Sequence, residues 1–262
     1  MSVSSALSNF RVGDASVAVF RDTEQLSVAA AQQAAEIIRA AIAKRGKARI
    51  IVATGNSQIA FIGALAEQPG IDWSAVEAFH LDEYVGLPDT HPASFRRWVK
   101  TRFIDRVHPG AAHLLNGDAA DLEGELRSYG DLLNSAPIDV AFVGIGENGH
   151  IAFNDPHVAD FDDPLTVKRV SLDEACKQQQ TGEGHFPDLS AVPDEAVTLT
   201  CSTLMRVNHW VSCVPDQRKA VAVRNSLEGP ISPSCPGSLF QRHPSAFLFL
   251  DGESASLLRP RS

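Results

Sequence analysis

Long apolar runs are missing from this sequence. None approaches the ~18 consecutive apolar residues that a membrane-spanning helix requires, so no membrane partner is expected. The first residues, MSVSSALSNFRVGD, contain neither the basic nor the apolar segment of a signal peptide, which predicts a cytoplasmic location. The composition is otherwise that of a globular protein, with 262 residues of which 44% are hydrophobic and 21% charged.

Cysteine is also scarce, and its spacing excludes the usual structural zinc sites. The chain has four cysteines, none of them in a CxxC or Cys/His arrangement: Cys176, Cys201, Cys213 and Cys235. Reduced and mostly buried thiols are therefore expected.

Positive charge is in deficit, since 23 lysines and arginines face 32 acids and the net charge is −9. The densest basic group is Arg96, Arg97, Lys100 and Arg102, whose helical spacing predicts an exposed, solvated helix face. No nucleic-acid partner is expected. An acidic protein can still bind an anion, because a few local donors are sufficient for that.

Strand-like and helix-like segments alternate along the chain. The strand-like segments are 17–20, 49–54, 76–82, 138–146, 196–200, 209–215 and 245–251. The helix-like segments are 24–44, 59–68, 94–107, 121–134 and 217–229. This order predicts an α/β fold, namely a doubly wound, mostly parallel sheet with helices on both faces. No linker divides the chain, so residues 1–262 are interpreted as one domain, with an irregular, lid-like segment around 155–195.

Open parallel sheets bind ligands beyond the carboxyl ends of their strands, and polar loops follow three of the predicted strands. The first loop is Thr54-Gly55-Asn56-Ser57, which offers hydroxyl groups and a helix N-terminus to an anion. A phosphate cradle and an ordinary helix-capping turn are both open for it. The loop is neither a Walker loop nor a GxGxxG fingerprint, which argues against nucleotide hydrolysis and dinucleotide binding.

The second loop places two adjacent carboxylates, Asp82 and Glu83, directly after a hydrophobic strand. Two interpretations are equally open: a catalytic role, or a structural role in which one of them caps the next helix or pairs with an arginine. The third loop places His150 in a glycine-rich turn, with Asn148 two residues before it and Asp155 five residues after it. Histidine moves protons near working pH, so a function is favoured for His150 over a structural role.

Three segments resemble the signature segments of glucosamine-6-phosphate deaminases: LDEYVGLPDTHPASF (81–95), HLLNGDA (113–119) and GIGENGHIAFNDP (144–156). The related 6-phosphogluconolactonases keep a glycine-rich DGH turn but lack the DEYVG block. The resemblance implies a hydrolase that converts glucosamine 6-phosphate to fructose 6-phosphate and ammonia without metal or cofactor. It also implies a place in amino-sugar catabolism and N-acetylglucosamine metabolism.

The resemblance assigns a role to each candidate residue. Asp82 is the base that carries a proton between C2 and C1 of the substrate. His150 opens the pyranose ring and is oriented by Asp155 and Asn148.

The substrate phosphate is implied to lie in the loop formed by Thr54, Gly55, Asn56 and Ser57, helped by Lys219. Two features depart from better-known members. Many carry Glu in place of Asp155, and some place a phosphate-binding arginine in the stretch 177–186, where this chain has Lys177 followed by Gln178–Gln180. Phosphate affinity and the preferred amino sugar are open for this reason.

Two other functions are open from the sequence. One is a lactonase or another sugar-phosphate isomerase on the same scaffold. The other is a sugar-phosphate sensor without turnover, although no basic recognition helix precedes the first long helix. A homo-oligomer is possible.

Overall fold

The computed structural model describes residues 6–259, which contain eleven strands and eight α-helices. The strands are β1 (Ser8–Val12), β2 (Ala15–Phe20), β3 (Ala48–Val52), β4 (Val76–His80), β5 (Asp82–Tyr84), β6 (Ala111–His113), β7 (Val140–Phe142), β8 (Val167–Ser171), β9 (Glu195–Leu199), β10 (His209–Val214) and β11 (Ala246–Asp251). The helices are α1 (Thr23–Arg45), α2 (Ile59–Ala66), α3 (Phe95–Val99), α4 (Asp105–Val107), α5 (Leu122–Asn134), α6 (Glu174–Gly182), α7 (Cys201–Met205) and α8 (Ala220–Glu228).

The main sheet has eight strands in the order β1-β2-β11-β10-β7-β3-β4-β6. All neighbours are parallel except β1 and β2, which pair antiparallel. The predicted fold class, a doubly wound and mostly parallel sheet with helices on both sides, is confirmed.

Local sequence explains the first helix and the strand that follows it. Helix α1 begins where the Asp22 carboxylate accepts a hydrogen bond of 2.9 Å from the Gln25 backbone N–H. It ends at Gly46, whose φ of 75° is the left-handed conformation that glycine adopts without steric cost. Strand β3 is buried along its whole length, as a strand covered on both faces must be.

The winding of the chain creates a crevice beside β3. From β3 the chain moves outward to β4 and β6, then returns to β7 on the other side of β3 and continues to β10 and β11. The loops after β3 and β7 therefore leave the sheet in opposite directions. In open α/β sheets a ligand binds at this reversal of strand order.

A second, antiparallel sheet of three strands, β5-β9-β8, stands beside the main one. The predicted strand 76–82 was too long, because β4 ends at His80 and Asp82 pairs instead with Thr198 of β9. The predicted strand 196–200 likewise belongs to the second sheet. A separate apolar cluster packs around this sheet and includes Tyr84, Phe95, Phe153 and Phe186.

The stretch 155–195, predicted to be irregular, contains β8, α6 and the start of β9, and its remaining residues lie outside strands and α-helices. Its apolar pattern is weak: helix α6 buries only Cys176 and Gln180, so no helical periodicity is visible in the sequence. Its role as a lid stays a prediction. Strands β1 and β6 and the short helix α7 were also not predicted.

Two further observations concern residues 6–259. No helix among them is long and apolar enough to cross a membrane. The cysteines are free thiols, as expected; Cys176, Cys201 and Cys213 are buried and Cys235 is partly exposed.

Candidate active site

A cleft with about 580 Å³ of empty space lies beyond the carboxyl ends of β3, β4 and β7. Six of the residues predicted from sequence line it: Thr54, Gly55, Ser57, Asp82, His150 and Lys219. Asn56, Asn148 and Asp155 do not line it. Asn148 and Asp155 instead contact Nδ1 of His150.

Asp82, the first residue of β5, is buried at the cleft wall. Phe95 and Phe153 line the same cleft and stack on each other with their ring planes 9° apart. Burial, and then the neighbouring Glu83, raises the pKa of the Asp82 carboxyl well above its ordinary value. A carboxylate with a raised pKa is a stronger base than an exposed aspartate.

Glu83 takes the capping and pairing role that the sequence left open for one of the two acids. Its fully buried carboxylate accepts hydrogen bonds from the Ser94 hydroxyl at 2.8 Å and from the backbone N–H groups of Phe95 and Arg96 at 3.0 and 2.8 Å. It also pairs with the Arg96 guanidinium at 3.3 Å. These contacts hold the start of α3, so Glu83 is turned away from the cleft and only Asp82 faces it.

Arg96 corrects the expectation that its basic group forms an exposed helix face. Arg97, Lys100 and Arg102 are exposed, but Arg96 is buried. Its guanidinium donates to the Leu87 carbonyl and to Asp118 Oδ1, both at 2.8 Å, and to Asn116. Two residues of the HLLNGDA segment, Asn116 and Asp118, therefore hold Arg96, and Arg96 in turn holds the loop after Asp82 through the Leu87 carbonyl.

His80, at the end of β4, is buried and neutral. Its Nδ1 accepts a hydrogen bond of 3.2 Å from the Leu115 N–H. Burial, and then the Arg96 charge, lowers the pKa of His80 to about 3. Near neutral pH this ring therefore brings no positive charge that would lower the pKa of the nearby Asp82.

His150 is held from behind by two oxygen acceptors. Its Nδ1 lies 2.8 Å from Asn148 Oδ1 and 3.0 Å from Asp155 Oδ1. Asn148 Nδ2 also donates to Asp155 Oδ1 at 2.8 Å, which fixes the orientation of the amide. Because both neighbours of Nδ1 are acceptors, Nδ1 carries a proton and Nε2 is the nitrogen that exchanges protons with the cleft.

Asp155 reaches the imidazole directly in spite of its short side chain. Burial by itself would raise the pKa of Asp155, but the His150 charge and the hydrogen bonds from His150 and Asn148 outweigh it and lower the pKa to about 2. Asp155 therefore stays ionised beside the imidazole. The backbone of the turn supplies the missing reach.

That turn has an unusual backbone, which Asn154 stabilises. Ala152 has a φ of 51°, a conformation that residues other than glycine adopt rarely. The buried Asn154 amide donates to the carbonyls of Ile151 at 3.0 Å and Leu199 at 2.8 Å, which ties the turn to β9. Sequence reasoning missed Asn154, although a buried amide in a turn is a recognisable signal.

Groups that can bind an anion also line the cleft. Gly55 has a φ of 100°, which only glycine adopts without strain. Ser57 Oγ accepts a hydrogen bond of 3.0 Å from Gln58 Nε2, which leaves the hydroxyl proton of Ser57 to donate. The buried Lys219 side chain adds a positive charge. Asn56 instead donates from Nδ2 to the Glu183 carbonyl at 3.1 Å.

Residues at the end of α6 line the cleft and were not predicted as site residues: Gln179, Gln180, Glu183 and His185. Lys177, by contrast, pairs with Asp194 and does not line the cleft. The stretch 177–186 therefore presents amides, one carboxylate and one imidazole to the cleft, and none of its lining residues is a lysine or an arginine.

The chain resembles known proteins over most of its length. The model of the family "Glucosamine-6-phosphate isomerases/6-phosphogluconolactonase" matches residues 21–248. A glucosamine-6-phosphate deaminase of Arthrobacter sp. (strain FB24) is 34% identical over 86% of this chain and 87% of its own. One of Exiguobacterium sp. (strain ATCC BAA-1283 / AT1b) is 35% identical over 78% of each chain.

Solved structures show the same fold. The structure of a monomeric glucosamine-6-phosphate deaminase superposes with a TM-score of 0.84 at 30% identity, covering 92% of this chain and 99% of its own. A 6-phosphogluconolactonase from Shewanella baltica OS155 has a TM-score of 0.73 at 18% identity, covering 90% and 97%. The second likeness concerns the fold alone.

Gly146→Ala tests the placement of His150. A Cβ at position 146 would lie 2.1–2.4 Å from three atoms of the His150 ring, so the imidazole must move. The backbone of Gly146 has no positive φ, so alanine fits there in every other respect. We expect kcat to fall by roughly 10²-fold or more, the scale of a lost acid–base group, with little change in melting temperature.

Gly252→Ala is the matched control, because a Cβ there meets nothing within 4 Å. Steady-state kinetics and a crystal structure of each variant provide the measurement. Wild-type turnover in Gly146→Ala would contradict the proposed placement of the ring.

Asp82→Asn tests whether the ionised carboxylate destabilises the fold. A carboxyl whose pKa is raised by folding contributes stability below its unfolded pKa and loses it as the pH rises through its folded pKa. Asn at this position should therefore raise the melting temperature at about pH 8, by roughly 2–4 °C per kcal/mol, and the gain should vanish near pH 4.

Calorimetry across this pH range provides the measurement, with the exposed Asp131→Asn as the control. A lower melting temperature for Asp82→Asn at alkaline pH would show that the carboxylate is stabilised by contacts instead.

Proposed function

We propose an activity for this chain from one premise: it belongs to the family of glucosamine-6-phosphate isomerases and 6-phosphogluconolactonases. The reaction is the deaminating isomerisation of glucosamine 6-phosphate, which consumes water and yields fructose 6-phosphate and ammonia. The observation that supports it most is the buried Asp82, with its raised pKa, in one cleft with His150 and the anion donors.

The first step is opening of the pyranose ring, for which His150 is placed. Nε2 takes the proton of the O1 hydroxyl, the C1–O5 bond breaks, and the proton is returned to O5. Asp155 and Asn148 hold Nδ1 and keep the ring in this tautomer throughout. The product of this step is the open-chain amino aldehyde.

The second step is a proton transfer between carbons. Asp82 removes the proton from C2, the electrons form a C1–C2 double bond, and the aldehyde oxygen takes a proton from the ammonium group at C2 to become a hydroxyl. Asp82 then returns its proton to C1, and the amine at C2 becomes a protonated imine. Both transfers need a basic, desolvated carboxylate, which the burial of Asp82 supplies.

The last step is hydrolysis of the imine. Water adds to C2, the C2–N bond breaks, and ammonia leaves with fructose 6-phosphate as the other product. The phosphate is held at Thr54, Gly55, Ser57 and Lys219, and its binding positions C1 and C2 between the two proton carriers.

The deaminase reaction is favoured over the lactonase reaction of the same family. Hydrolysis of a lactone requires an activated water, but it removes no proton from carbon. The buried Asp82 would therefore have no role as a base for carbon in that reaction. The relatives that are more than 30% identical are named as glucosamine-6-phosphate deaminases. The proposed setting is amino-sugar catabolism in the cytoplasm, including N-acetylglucosamine metabolism.

Purified protein should release ammonia and fructose 6-phosphate in equal amounts from glucosamine 6-phosphate. Asp82→Asn should lower turnover by at least ~10²-fold, because general-base catalysis is lost, and should leave the affinity for inorganic phosphate nearly intact. Coupled enzyme assays for both products, and calorimetric titration with phosphate, provide the measurements.

Asp131→Asn, an exposed change of the same charge, is the control and should keep wild-type turnover. Acid release from 6-phosphogluconolactone, with no ammonia from amino sugars, would replace the deaminase by the lactonase. Phosphate binding without either reaction would indicate a sensor.

A further inference from the structure

Glu183 places a carboxylate at the anion-binding end of the cleft. It directly follows α6, and its side chain is only 12% exposed. One carboxylate oxygen lies 3.7 Å from Lys219 Nζ, and the other lies 3.3 Å from His185 Nε2. Gln179 Nε2 donates to the first oxygen at 2.9 Å. The carboxylate is therefore held in place by three side chains that also line the cleft.

Lys219 is the only lysine or arginine among the residues that line this cleft in the described part of the chain. Burial lowers the pKa of Lys219, and the Glu183 charge counteracts this. Burial by itself would raise the pKa of the Glu183 carboxyl. The hydrogen bond from His185, the Lys219 charge and the hydrogen bond from Gln179 outweigh burial and lower this pKa to about 2. Glu183 is thus ionised near neutral pH, and it lies within ion-pair distance of Lys219 Nζ.

A phosphate bound to Lys219 would meet this carboxylate. Both anions require the same ammonium group, and Glu183 already lies within ion-pair distance of it. Two anions that share one buried cation repel each other, because the low local dielectric screens them poorly. Phosphate binding therefore requires that Glu183 give up its contact with Lys219.

The backbone around Glu183 permits such a movement. Gly182 and Gly184 flank it, and a Cβ at either position would meet nothing within 4 Å. Gly184 has a φ of 80°, so this glycine serves the conformation of the backbone and not the packing. The Glu183 carbonyl is anchored by Asn56 of the phosphate loop, which leaves the side chain as the part that can turn away.

We propose that Glu183 is an internal stand-in for the substrate phosphate: it neutralises Lys219 in the empty site, and the phosphate must displace it. This inference rests on the proposed function for its choice of a sugar phosphate as the ligand. Glu183 then sets how strongly the enzyme discriminates between anions. A dianionic phosphate displaces the carboxylate, whereas a weak or singly charged anion does not.

Glu183→Gln tests the proposal, with inorganic phosphate and glucose 6-phosphate as probes that need no turnover. The amide keeps the size of the side chain but removes its charge. Calorimetric titration at fixed ionic strength should show roughly five- to tenfold tighter binding of both probes. KM for glucosamine 6-phosphate should fall by a similar factor, with a smaller change in kcat.

Glu174→Gln is the matched control, because Glu174 lies in the same helix, is exposed and carries the same charge. Its affinity for phosphate should stay within about twofold of wild type. Unchanged or weaker phosphate binding by Glu183→Gln would overturn the proposal, since the carboxylate would then hold Lys219 in place for the ligand.

Lys219→Met separates this inference from the proposed function. If Lys219→Met leaves phosphate affinity unchanged, the anion site is elsewhere and this inference fails together with the proposed placement of the phosphate; the deaminase activity itself fails only if the wild-type protein releases no ammonia from glucosamine 6-phosphate. If Lys219→Met abolishes binding but Glu183→Gln does not tighten it, only the present inference fails.

Discussion

The buried carboxylate of Glu83 is the contact on which the proposed chemistry depends. Side chains alternate along a strand, so fixing one residue of β5 fixes the direction of its neighbours. Glu83 is fixed by the Ser94 hydroxyl, by N–H groups at the start of α3 and by Arg96. Asp82 and Tyr84 must then point the other way. A charge with so many donors is stable inside the protein, and removal of one donor weakens that stabilisation.

The two aspartates of the site have opposite pKa shifts because their surroundings differ. Burial and then the Glu83 charge raise the pKa of Asp82, whereas contacts with His150 and Asn148 lower the pKa of Asp155. A carboxylate with a raised pKa suits proton abstraction from carbon, and one with a lowered pKa suits the support of an imidazolium. One amino-acid type therefore serves two purposes, and the neighbours decide which.

The sequence was sufficient for the fold class and for the loops, because β-branched strands, helix caps and glycine turns carry local signals. It was insufficient wherever a partner distant in the chain decides the outcome. Asp82 and Glu83 are adjacent and equally acidic, and only the approach of Arg96 and α3 distinguishes them. Arg96 had the spacing of a surface residue but is buried by Glu83. Glu183 lies in a polar stretch without periodicity, and only the fold brings it to Lys219, which follows it by more than thirty residues.

The second sheet connects the strand of Asp82 to the helix that precedes Glu183. Tyr84 of β5 donates a hydrogen bond of 2.6 Å to Gln180 of α6, and its ring packs edge-on against Phe186 beyond that helix. The strand that carries Asp82 and the helix that precedes Glu183 therefore belong to one apolar cluster, separate from the core of the main sheet. His150 and the phosphate loop belong to the main sheet. Tyr84 thus connects the strand that carries Asp82 to the helix that precedes Glu183, so the base and the carboxylate beside Lys219 are positioned by one packing unit.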